Sequence, residues 1–213
     1  MNELEGLALL ADYGVPAVEA RQASSAEEAV AAAEAIGFPV VLKTAAPGVH
    51  HKSDVDGVRL GLATADAVRG AYDDVAGRLG PAAVVAAMAP EGVEVALGIV
   101  RDPSFGPLVL VAAGGVLVEL LHDRALAMPP LDDGSARRLF ERLRMRPLLD
   151  GMRGTAASDV GALAGAISRL SLLAADLGDL LAAVDVNPVL VSPAGCVAAD
   201  ALVIPALPES GRP

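Results

Sequence analysis

Residues 37–62 read GFPVVLKTAAPGVHHKSDVDGVRLGL. The apolar run FPVVLK (38–43) predicts a short buried strand ending in a lysine, and GVRLGL (57–62) predicts a second strand. The loop between them carries His50, His51, Lys52, Asp54 and Asp56. Two of the chain's three histidines and both of its lysines, Lys43 and Lys52, fall in this stretch, whereas every other basic residue is an arginine. A lysine in such a chain marks a place for a compact ammonium on a flexible stem. A strand ending in Lys beside a glycine-bearing loop suits phosphate, because backbone N–H groups and an ammonium converge on anionic oxygens. Three readings of the loop compete: a metal site, a solvated turn, or a reactive histidine beside bound phosphate. Lys52 would repel a cation held by its neighbours, which counts against the first. No G-x-x-x-x-G-K-[ST] occurs, and no G-x-G-x-x-G follows a strand, so neither a P-loop nor a Rossmann site has support.

Outward from this stretch, helices and strands alternate. Leu4–Tyr13 has helical apolar spacing and stops at Gly14. SSAEEAVAAAEAIG (24–37) predicts a helix with a Ser25/Glu28 capping box and a Gly37 stop. A third helix runs from Thr64 to Gly80. Strands are expected at 82–88, in VEVALGIVRD, and, after a Pro103 and FGP turn, in LVLVAAGG and VLVELLHD. DGSARRLFERLR and the stretch 158–183 predict helices, and AVDVNPVLV with CVAADALVI predicts a final hairpin joined by SPAG. The expected class is α+β with mixed or antiparallel sheets and flanking helices. Two lobes are expected, 1–85 and 86–213, with 84–92 as the hinge.

Composition narrows the function. Of 213 residues, 54% are hydrophobic and 20% charged, which predicts a folded globular protein. Aromatics make up 2%, so the core must be aliphatic. A net charge of −11 argues against a nucleic-acid partner, which needs clustered Lys and Arg. The start, MNELEGLALLADYG, is acidic where a signal peptide is basic, and no uninterrupted apolar run approaches the roughly 20 residues of a membrane span. Neither a leader nor a membrane partner is expected. The single cysteine, Cys196, cannot form an internal disulfide, which fits a reducing cytoplasm, and it reads as a small buried strand residue.

A second cluster lies near the C-terminus. Asn187 and Asp200 occupy mirrored positions of the final hairpin, so that both oxygens can face one point. An amide oxygen and a carboxylate, completed by phosphate oxygens and water, is a common way to hold Mg²⁺. The competing reading makes Asn187-Pro188 a turn and Asp200 a solvated strand end.

Taken in order, LLADYGVPAVE (9–19), the 37–62 stretch, EGVEVALGIVRDPSFGPLVLVAAGGVLVELLHD (91–123), LLDGMRG (148–154), AVDVNPVLV (183–191) and CVAAD (196–200) resemble the ATP-grasp subunit of nucleoside-diphosphate-forming acyl-CoA synthetases. These include the ADP-forming acetate–CoA ligases and, more distantly, succinyl-CoA synthetase. The resemblance implies an ATP-grasp fold, ATP or ADP with Mg²⁺, and a ligase that forms acid–thiol bonds. It assigns Lys43 to the nucleotide phosphates and His51 to a transiently phosphorylated histidine on a mobile loop. The Met88-Ala89 backbone would read the adenine edge, and Glu94 the ribose hydroxyls. Asn187 and Asp200 would hold Mg²⁺, with Asp185 the acidic residue beside them. Gly114-Gly115 and Arg153-Gly154 match motifs near the active site, while His50 and His122 match no role.

The chain departs from the family pattern at Ala86 and Ala87, where Gln-Glu is usual, at Asp56 in place of a glycine, and at Ala127 in place of an arginine. Asp56 is expected either to stiffen the loop or to set a negative charge near phosphate. The resemblance further implies a separate CoA-binding alpha subunit with its own catalytic histidine. Two alternatives stay open: a catalytically impaired nucleotide-binding regulatory subunit, and an ATP-grasp carboxylate–amine ligase. Retention of His51 argues against the second, which needs no histidine relay.

Overall fold

The computed structural model describes residues 1–49, 51–115, 123–151 and 154–206. His50, His122 and Arg153 lie outside the described residues, as does the expected strand VLVELLHD up to Asp123. The chain divides into one unit of residues 18–89 and another of residues 1–17 with 90–213. This differs from a single cut between 85 and 86. The cause is the first helix, α1 (Glu3–Asp12), which the chain start and the following loop tie to the C-terminal strands. The Met1 ammonium donates to the Val203 carbonyl at 3.0 Å, and the Ala198 N–H donates to Pro16 O at 2.8 Å. Asn2 caps α1 in a full capping box with Glu5.

The unit 18–89 contains β1 (Ala20–Ala23), α2 (Ala26–Ile36), β2 (Val40–Thr44), β3 (Val58–Leu62), α3 (Ala65–Leu79) and β4 (Ala83–Ala87). The four strands form an antiparallel sheet in the order β1-β4-β2-β3. The small residues Ala29, Ala32 and Ala33 of α2 and Val68, Tyr72 and Val75 of α3 pack with Val40, Leu42, Ala83 and Val85. Ser25 accepts the Glu28 N–H as expected, but the Glu28 carboxylate turns back to the N–H and hydroxyl of Ser24. Since Val40 and Leu42 face the helices, alternation puts Val41 and Lys43 on the opposite face of the sheet.

The other unit adds β5 (Val93–Asp102), β6 (Gly106–Ala113), β7 (Arg124–Ala127), α4 (Asp133–Phe140), α5 (Arg146–Leu149), α6 (Val160–Leu177), β8 (Leu181–Ser192), β9 (Gly195–Ala198) and β10 (Leu202–Pro205). Its sheet runs β10-β8-β5-β6-β7, with β9 also on β8, and every ladder is antiparallel. The α+β class with antiparallel sheets therefore holds, and the described parallel contact is one isolated bridge from Ala17 to Ala198.

The helix expected over 158–183 stops at Leu177, and β8 begins at Leu181. At that stop Gly178 packs on the β6 edge, where a Cβ would lie 2.6 Å from the Pro107 ring. The stretch Val160–Leu180 is long and apolar enough to cross a bilayer by length and composition, although Arg169, Asp176 and Asp179 interrupt it. Its Leu163, Ile167, Leu170 and Leu173 are fully buried in the core of this unit, with Arg169 and Asp176 exposed.

Candidate functional site

In the unit 18–89, β2 delivers Lys43 and Thr44 to the base of the histidine loop, and both are buried. Lys43 pairs in register with Val58 on one side and Val84 on the other. The loop closes just beyond: the Thr44 N–H donates to Gly57 O, and the Gly57 N–H to Lys52 O, each at 2.8 Å. Gly57 has no room for a side chain, because a Cβ would lie 2.6 Å from the Thr44 methyl. His51 is exposed and heads a run of tight turns, its carbonyl accepting from the Asp54 N–H at 3.2 Å and Ser53 O from Asp56 N–H at 3.1 Å. Asp56 has φ +51, a left-handed conformation that glycine adopts freely and Asp tolerates better than most residues.

Asp56 is not a stray charge. Its carboxylate is gripped by Arg59, and Arg78 from α3 reaches its carbonyl. The Arg59 hydrogen bonds hold the Asp56 carboxyl below the usual carboxylate range, and the same arginine does so for Asp74. Sequence reasoning missed Arg59, Asp74 and Arg78. The one local signal was the Asp56/Arg59 spacing.

Met88 and Ala89 end this unit, Met88 being exposed. Ala86 is buried between Ala20 of β1 and Val41 of β2, and the Ala87 N–H donates to Glu19 O. In the other unit, Ala127 pairs with Val109 at the sheet edge.

In that other unit, Glu94 and Gly114-Gly115 form one structure. The Gly114 N–H donates to Glu94 O at 2.9 Å, extending the β5–β6 ladder. A Cβ on Gly114 would sit 2.6 Å from the Glu94 backbone, and one on Gly115, at φ +57, would run into the Glu94 carboxylate. The two glycines are thus the floor on which an exposed carboxylate rests.

Asp185, Asn187 and Asp200 are also brought to one region. β8 pairs with β9 up to Val189–Ala198 and with β10 from Asp185–Leu202, and the two ladders share one register. In the gap between them Asn187 falls opposite Asp200, both half-buried. On its other side β8 carries one residue more than β5, since Val95 pairs with Val189 but Leu97 with Val186. The bulge spans Asn187-Pro188, a cis peptide, and Pro188 O accepts the Ala199 N–H at 2.9 Å. Val184, Val186, Val189 and Val191 stay buried on either side of it. Asp185 and Asn187 therefore project from the face opposite Val184 and Val186. The Asp200 carboxylate accepts the Ala201 N–H at 2.8 Å.

This donor set fits Mg²⁺ accompanying phosphates. Among the described residues no three His, Cys, Asp or Glu side chains cluster as a metal cage. Mg²⁺ bound with a nucleotide needs only one or two protein oxygens, the phosphates and waters supplying the rest. Cys196 is buried and donates to Ala162 O, and burial pushes its thiol up to about 11, so it is an inert core residue.

Comparisons with known proteins identify the family. A family model described as an ATP-grasp domain matches residues 1–204. The chain is 32% identical over 214 residues to the beta subunit of an ADP-forming acetate–CoA ligase II from Pyrococcus furiosus, covering 96% of this chain and 91% of that one. It is 37% identical over 212 residues to a trans-feruloyl-CoA synthase from an unknown prokaryotic organism, and it spans 30% of that longer protein. Its fold matches acetyl-coenzyme A synthetase 1 of Ca. Korarchaeum cryptofilum with a TM-score of 0.86 and 37% identity, covering 96% of this chain and 92% of the other. That structure contains coenzyme A and Mg-AMPPCP, with its phosphohistidine segment pointing towards the nucleotide-binding site. A match over nearly the full length of a beta subunit, on an ATP-grasp fold, settles the lineage: the chain belongs to the ATP-grasp family, in the group found in ADP-forming acyl-CoA synthetases, ligases that form acid–thiol bonds.

Proposed function

We propose that this chain is the nucleotide-binding subunit of an ADP-forming acyl-CoA synthetase of the acetate–CoA ligase type. It would relay a phosphoryl group between ATP or ADP and a histidine on a separate CoA-binding alpha subunit, in the cytoplasm. The observation that carries this reading is the exposed His51 on a loop closed directly beyond buried Lys43, in a chain whose relative has a phosphohistidine segment at its nucleotide site.

A neutral imidazole nitrogen of His51 attacks the γ-phosphorus of ATP. The bond from phosphorus to the bridging oxygen breaks, and ADP leaves with the electron pair. In the opposite direction ADP takes the group back. Lys43 contacts phosphate oxygens with its ammonium, the Met88-Ala89 backbone reads the adenine edge, and Glu94, resting on Gly114-Gly115, takes the ribose hydroxyls. Asn187 and Asp200 would hold Mg²⁺, with Asp185 beside them, and Arg153 would contact the nucleotide. When bound, Mg²⁺ neutralises charge on the transferring group. The pairing of Asp56 with two arginines removes one reason to read the chain as catalytically impaired.

The test is labelling with γ-phosphate-labelled ATP and Mg²⁺. Acid-labile, base-stable label is expected on the protein and is abolished in His51→Ala. Absence of that label, with the alpha subunit present as well, would refute the relay.

A further inference from the structure

The far end of the His51 loop is tied to α3 by four charged side chains. We propose that Asp56, Arg59, Asp74 and Arg78 form a clamp that fixes the pivot of the His51 segment, which makes them positioning residues for phosphoryl transfer. The proposal rests on the relay reading of His51 given above.

Asp56 is the one non-glycine residue with positive φ among the described residues. Its carboxylate takes a two-pronged contact from Arg59, Nη1 to Oδ1 at 2.9 Å and Nη2 to Oδ2 at 3.0 Å. The same Arg59 Nη1 donates to the carbonyls of Asp56 at 3.0 Å and Val58 at 2.9 Å. From α3, Arg78 donates to Asp56 O at 2.9 Å and Val55 O at 3.4 Å. Asp74, one turn before Arg78 on α3, accepts from both guanidiniums and closes the set. Two carboxylates and two guanidiniums balance in charge.

A single exposed ion pair contributes little. This group differs in two ways: the Arg59–Asp56 contact is bidentate, and both arginines hold main-chain carbonyls. The carbonyls of Val55, Asp56 and Val58 mark the path of the chain, so the clamp sets that path. Glycine at position 56 would leave φ and ψ free, whereas the clamped Asp56 takes one conformation. Immediately after it, Gly57 is wedged against Thr44 and Lys52 O with no slack. Under the relay reading, His51 would therefore swing about a fixed end at Asp56-Gly57. The departure from the family glycine is compensated by partners in this chain.

Two measurements test the clamp, using Arg78→Met and Asp56→Gly in the full chain. Hydrogen exchange of the Asp54, Asp56 and Gly57 amides should quicken about fivefold or more in both variants, with the amides of β2 unchanged. Exchange at the parent rate would overturn the clamp, whether or not His51 is ever phosphorylated. Single-turnover labelling from saturating ATP and Mg²⁺ should slow about tenfold in each variant, with ATP affinity retained. The double variant should be no slower than either single one, because the clamp acts as a unit. Parent-rate labelling alongside faster exchange would overturn the positioning role. If the parent acquires no His51-dependent label, the relay reading fails, and with it the positioning role, while the exchange result still decides whether the clamp fixes the loop.

Discussion

Asn187 on β8 and Asp200 between β9 and β10 face each other at the point in a shared register where neither ladder is formed. The gap leaves two oxygen-bearing side chains beside each other, at a strand whose nearest buried positions, Val184, Val186, Val189 and Val191, are valines. If they hold Mg²⁺ with the nucleotide, Asp200→Ala should weaken ADP binding about tenfold or more in the presence of Mg²⁺. Binding without Mg²⁺ should change little. Calorimetric titration with and without the cation separates the two cases.

Gly115 and Gly37 both have positive φ, but only Gly115 has a neighbour where a Cβ would go. Alanine at either position should lower stability by about 1–2 kcal/mol from backbone strain. Only Gly115→Ala displaces the Glu94 carboxylate, so only it should also weaken ADP binding. Urea denaturation and nucleotide titration of both variants check this pair of outcomes.

The core stripe of α6 offers an internal comparison. Leu170 is fully buried, whereas Leu172, two residues on, is 40% exposed. Leu170→Ala should cost about 2–5 kcal/mol, and Leu172→Ala about 1 kcal/mol or less. Parallel urea melts measure the difference, and a large loss at Leu172 would place that face against another surface.

The clamp carboxylates also predict a pH dependence. Asp56 and Asp74 have lowered pKa values in the folded loop, held down first by hydrogen bonds from Arg59. Once the loop opens, both carboxyls return towards the ordinary value of about 3.9 and bind protons more readily than in the closed form. Their stabilisation is thus complete above that value and is lost as the pH falls through the lowered folded values. Exchange protection of the Asp54 and Asp56 amides, corrected for intrinsic rates, should stay level from pH 7 to about 4.5 and fall below about pH 4. Protection that falls instead between pH 7 and 5 would point to a different titrating group.

The strands on both sides of the histidine loop were legible because apolar runs bounded by glycine and proline leave few alternatives. The opposition of Asn187 and Asp200 was legible too, since the two ladders keep one register across the gap. The short strands β1 and β7, with sequences ARQA and RALA, were not: four residues with a polar member show no period. The end of α6 was hidden because alanine and leucine suit a helix and a buried strand alike, and Pro107, far along the chain, meets Gly178 there. The docking of α1 beside β10, and the capture of Asp56 by Arg78, are likewise contacts between distant stretches. Local pattern carries no trace of either.

The surplus residue in β8 has a consequence for how this site can be lost. Against β5, the step at Asn187-Pro188 is spare: Val184, Val186, Val189 and Val191 are buried on either side of it. Removing one residue there would let the β5–β8 ladder run unbroken, with those valines still facing inward. What would vanish is the opposition of Asn187 and Asp200, because β8 would lose the register it shares with both β9 and β10. The residue that interrupts one ladder is therefore the one that keeps the other two in step, and no deletion there can mend the first without breaking the second.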